Sequence, residues 1–202
     1  MTRAVFPLLL MLAFLAGCDV LGKGTQEALY KLPKGKRMLV FVDVHVGAEV
    51  PVDVPAELGQ KIADHLYQYK AADSFVSQQK LVSLRANGEA FSKMSIEDVA
   101  RETGADVVVF VELLEFYAKA VSEGQLTAGQ AQGFVKVVDA HGNRLWPPGA
   151  ETPGANVGAT VPEKLAEEQE LTKVRRTLLL DLAARVGRAF HDYDKEDKDA
   201  AR

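Results

Sequence analysis

The chain has 202 residues, of which 48% are hydrophobic and 26% charged, with a formal net charge of −4. That balance is the one of an ordinary globular domain, and a mildly acidic chain offers no general footprint for nucleic acid. Cys18 is the only cysteine, so no intrachain disulfide can form and the core must hold by packing alone.

The first element in the chain is a targeting segment. Ala4 to Gly17 carries no charge, follows Arg3, and is too short for the roughly 20 residues that cross a bilayer. Its end, Leu15-Ala16-Gly17-Cys18, resembles a bacterial lipoprotein signal. The resemblance implies diacylglyceryl transfer to the Cys18 thiol, cleavage before Cys18, and acylation of the new amine. Two or more acyl chains give stable anchoring where one gives marginal binding. Residues 1–17 are then a signal peptide. The mature chain meets the inner or outer membrane through the lipid on Cys18 and faces the periplasm.

Residues 18–36 form the acylated N-terminus and a tether, with three glycines, one proline and four lysines in Asp19 to Lys36 and no apolar period. Lys23, Lys31, Lys34, Lys36 and Arg37 keep it soluble, or lie near anionic headgroups. A single α/β domain is expected over residues 37–191, with a charged tail at 192–202.

Met38 to Val46 is almost continuously apolar and β-branched, which predicts a strand covered on both faces. Pro55 suits the first turn of a helix, and Leu58, Ile62, Leu66 and Tyr69 recur on one side of it. Lys80 to Arg85 alternates like a short strand, and Ala86 to Glu89 breaks it. Ser95 with Asp98 forms a capping-box pattern before a helix over Ile96 to Thr103, and Gly104 suits its C-cap.

Asp106 to Tyr117 predicts a second long strand, with Glu112 and Glu115 on opposite faces if alternation holds. After the loop Ser122 to Gln125, a strand over Gln130 to Asp139 turns at His141-Gly142-Asn143 into Arg144-Leu145-Trp146, an antiparallel meander. Four prolines and three glycines between Pro147 and Pro162 predict an irregular connection. From Glu163, a helix with Leu171, Val174, Leu178, Leu182, Val186 and Phe190 on one side covers the sheet.

These elements predict an α/β (α+β) fold, a mixed sheet of about five strands with three helices packed on it. The order resembles the small domain shared by the curli-secretion-channel lipoproteins, the penicillin-binding-protein activator lipoprotein and the N-terminal domain of the Tol-system propeller protein. The resemblance rests on Met38 to Val46, on Ala100-Arg-Glu-Thr-Gly-Ala-Asp-Val-Val-Val109, and on Val135-Lys-Val-Val-Asp-Ala-His-Gly-Asn-Arg-Leu-Trp146. It covers about two thirds of the mature chain and brings no catalytic residues with it. No propeller repeats and no pair of long barrel strands follow.

No residue pattern points to catalysis. Gly17 to Thr25 approaches a phosphate-binding loop, but Gly24 stands where Ser or Thr must follow the lysine. His45, His65, His141 and His191 fall at no metal-ligand spacing, and no Gly-x-Ser-x-Gly elbow occurs. No catalytic, cofactor or metal site is therefore expected. Trp146, Phe116 and Tyr117 lie near strand ends, where aromatics anchor partners or pack in the core. The sequence predicts a membrane-anchored, non-enzymatic accessory or adaptor that binds an envelope protein. The alternative is a subunit of a homo-oligomeric envelope complex.

Overall fold

The computed structural model describes residues 24–122, 126–149, 151–165 and 170–194. Its first elements are β1 (Thr25–Gln26), β2 (Arg37–Val44), α1 (Val54–Gln68), β3 (Ser74–Phe75), α2 (Gln78–Arg85), α3 (Gly88–Phe91) and α4 (Ile96–Thr103). There follow β4 (Val107–Ser122), β5 (Leu126–Asp139), β6 (Arg144–Trp146), β7 (Ala155–Leu165), α5 (Glu170–Arg188) and β8 (Tyr193–Asp194). β1 and β8 pair antiparallel as a small unit of their own, and the main body is Ala28–His191.

In the main body the sheet order is β3-β2-β4-β5-β6, with β7 also paired to β5. β2 is parallel to β3 and β4, and β4, β5, β6 and β7 join antiparallel, so the sheet is mixed as expected. The apolar runs of β2 and β4 lie side by side, Val40 opposite Val109. Their alternate residues serve two cores. Met38, Val40, Val42, Val107, Val109 and Val111 join the larger core with α1 and α5, while Leu39, Phe41, Val108 and Phe110 join a smaller one with α2 and α4.

α1 starts with Pro at its first turn and buries Leu58, Ile62 and Leu66 completely. Tyr69 falls just past its end and is half exposed. α4 carries the full capping box. Ser95 Oγ accepts from the Asp98 amide at 3.1 Å, and the Asp98 carboxylate accepts from the Ser95 amide at 3.0 Å. Bonds donated to the Asp98 carboxylate by the Ser95 amide, Arg101 and the Ser95 hydroxyl pull its pKa down to about 2. Gly104 ends the helix with φ 72°, which glycine adopts without steric cost.

Three local expectations are corrected. Lys80–Arg85 is helix, not strand: Ser77 caps α2 by accepting from the Gln79 amide at 3.3 Å, and Gln78 and Leu81 are the side chains it buries. A run of six residues fits both periods, and the cap decides. The segment 147–162 is not irregular throughout, because β7 begins at Ala155. Pro147, Pro148 and Pro153 precede the strand, and Pro162 falls where the register with β5 shifts between Thr127 and Gly129. Residues 163–165 complete β7, and α5 runs from Glu170. Its Val174, Leu178, Leu182 and Val186 are buried as predicted, while Leu171 is exposed.

The expected tether also contributes to the body. Leu32 is 5% exposed, and Tyr30 stacks on Trp146 with ring centroids 6.3 Å apart. Among the described residues no helix is long and apolar enough to cross a membrane.

Candidate partner surface on the open sheet face

Past Val111, β4 stays in the larger core with α5 through Leu113 and Phe116, whereas among the described residues the smaller core with α2 and α4 holds nothing of β4 beyond Phe110. A β-bulge sets what that open face presents. Leu113 pairs with Gly133 and Glu115 with Gln132, so Leu114 is the extra residue. Glu112 and Glu115 therefore share one face, opposite Phe134 and Gln132, and not the opposite faces that strict alternation predicts.

Glu112 Oε1 accepts from His45 Nδ1 at 2.7 Å. Glu115 accepts from Gln130 Nε2 at 3.2 Å, and Gln130 in turn accepts from the Tyr117 hydroxyl at 3.3 Å. Lys119 Nζ lies 4.6 Å from the centre of the Tyr117 ring. Nearby, Lys136 Nζ sits 4.7 Å over Phe110, and burial followed by Arg144 pushes its pKa down, with Glu112 opposing. Each carboxylate is committed to a neighbour. What the face offers is an array of amides, charges and half-buried aromatic rings.

The three aromatic residues expected near the strand ends separate across the sheet. Phe116 is 1% exposed and Trp146 is 7% exposed, both in the larger core. Trp146 meets Phe190 edge-on at 5.5 Å. Tyr117 alone faces outward, on the open face, so any anchoring role falls to it. Cys18 lies outside the described residues. The even-numbered residues of β5 (Gln130, Gln132, Phe134, Lys136) could have been read as this face from their alternation with Ala131, Gly133 and Val135. His45 could not, because its contact with Glu112 crosses between strands.

The fold also joins two histidines 126 residues apart. His65 Nε2 lies 2.9 Å from His191 Nε2, and the Tyr69 ring stacks on His191 at 4.2 Å. Burial, then His191 and Arg188, lower the His65 pKa to about 4. Gly187 makes room for this contact, since a Cβ there would meet His65 Cδ2 at 2.1 Å. Among the described residues no three His, Cys, Asp or Glu side chains gather as a metal site. A depression of about 380 Å³ beside α2 is lined by Gln79, Lys80, Ser83, Leu84 and Glu102. It lies open, and Lys80 Nζ already donates to the Thr103 carbonyl at 3.2 Å.

No protein-family model and no curated protein matches the chain. Solved structures of bacterial lipoproteins are similar to it at low identity. Lipoprotein GNA1162 from Neisseria meningitidis is 14% identical with a TM-score of 0.43, covering 71% of this chain and 95% of that one. The PelC dodecamer from Paraburkholderia phytofirmans is 14% identical with a TM-score of 0.39, covering 83% and 98%. The LpoB C-terminal domain from Salmonella enterica is 16% identical with a TM-score of 0.35, covering 63% and 82%. Likenesses of this size carry no argument about activity or partners.

Proposed function

We propose that this protein is a lipid-anchored envelope lipoprotein that acts without catalysis, as an accessory or adaptor that binds another envelope protein. The observation that carries this reading is the run Leu15-Ala16-Gly17-Cys18 behind an uncharged segment and Arg3. Lipid on Cys18 holds the body at a membrane, and confinement there raises the effective concentration of a weakly binding partner. The open face around Tyr117, Gln130 and Gln132 is the contact surface this reading uses. Its mixed polar and aromatic character matches surfaces that bind reversibly.

Metabolic labelling with a fatty-acid probe tests the anchor. The wild-type chain is expected to carry label and to sediment with membranes, and Cys18→Ser to lose the label and stay at the size of the uncleaved precursor. An unlabelled wild-type chain overturns the reading.

A further inference from the structure

The two ends of the sheet are guarded differently. At one end β3 is two residues long and α2 follows it closely, so that edge offers almost no ladder. At the other, β7 runs from Ala155 to Leu165, and among the described residues β5 is its only strand partner. The pairing with β5 is unshifted from Val135 opposite Ala155 to Gly129 opposite Val161. The outer side of β7 is thus a straight row of backbone donors and acceptors.

Natural proteins guard such an edge with lysine, proline or a bulge. Residues 155–161, Ala-Asn-Val-Gly-Ala-Thr-Val, hold none of these, and Pro162 with its register shift guards only the far end. Ala155, Val157 and Val161 are partly buried against the larger core, leaving an apolar rim that stops at this edge.

We infer that β7 pairs with β7 of a second copy of this chain, antiparallel about a two-fold axis perpendicular to the sheet. Two-fold symmetry sets the strand against its own reverse, so the row of donors meets its complementary row of acceptors. Charge selects the occupant. The segment has no charge to attract a charged foreign strand and none to repel its own copy. The rim of Val157 and Val161 meets the same rim, continuing the larger core from one copy into the next. The axis keeps both open faces on one side of the joined sheet. This inference rests on the fold and stands apart from the lipid anchor.

Single cysteines at Asn156, Gly158 and Thr160 in the full chain, oxidised in cell extracts, test it. Yield is read above that of the parent chain, whose only thiol is Cys18. Two-fold pairing predicts dimers whose yield is highest at the one position, or the two adjacent positions, nearest the axis and falls beyond, because each further step of two residues separates equivalent residues by roughly 13 Å more. Asn156→Lys combined with Thr160→Lys is expected to abolish the dimer in mass photometry with the circular dichroism spectrum unchanged. Absence of a dimer at all three positions, equal yield at all three, or adducts to a different protein overturns the pairing.

Discussion

The parallel half of the sheet and its antiparallel extension are built from the same strand, β4, yet they are solvated differently. From Val107 to Val111 both faces are covered, and every residue is buried. Beyond the bulge only one face is covered among the described residues, so Phe116 lies in the core while its neighbour Tyr117 meets water. The doubly covered half contributes packing, and the singly covered half leaves a face free for recognition. On the proposed function, stability and binding fall on opposite sides of one strand.

Phe116→Ala attacks the covered side and is expected to cost about 3–5 kcal/mol, seen as a large fall in the midpoint of urea unfolding. The histidine pair makes a smaller, pH-dependent contribution. The folded His65 pKa of about 4 lies below the ordinary histidine value of 6.5, so between the two the unfolded chain binds more protons than the folded one. Stability therefore falls as pH drops from about 6.5 towards 4, by on the order of 2 kcal/mol after allowance for the part-exposed ring. Thermal unfolding of His65→Gln between pH 7 and pH 4 should show a flatter slope than wild type.

Ser95→Ala, which removes the α4 cap in the doubly covered half, should cost about 1 kcal/mol in the same urea titration. Tyr117→Ala should change stability by no more than about 0.5 kcal/mol while weakening partner capture in cells. If Tyr117→Ala instead unfolds the protein as Phe116→Ala does, the division between the two sides of β4 fails.

The doubly covered half was legible because burial on both faces leaves an unbroken apolar run, as in Met38 to Val42 and Val107 to Val111. The α4 helix was legible because Ser95, Asp98 and Gly104 are local signals. The bulge at Leu114 was not, since β4 itself carries no glycine or turn residue there. Its one trace is Gly133 on the partner strand, where a Cβ would meet the Glu112 carbonyl oxygen at 2.5 Å. The bulge alone moves Glu115 to the face of Glu112. β7 was hidden by prolines that sit before it and at its register shift. The His65–His191 contact was hidden by sequence distance, a tertiary effect with no local trace.

The most direct measurement places a photoreactive residue at Tyr117, at Gln132, and at Leu180 on the outer side of α5, which is 48% exposed. In living cells Tyr117 and Gln132 are expected to give adducts with one and the same envelope protein, and Leu180 none. Adducts from Leu180 with none from Tyr117 and Gln132 would contradict binding through the open face.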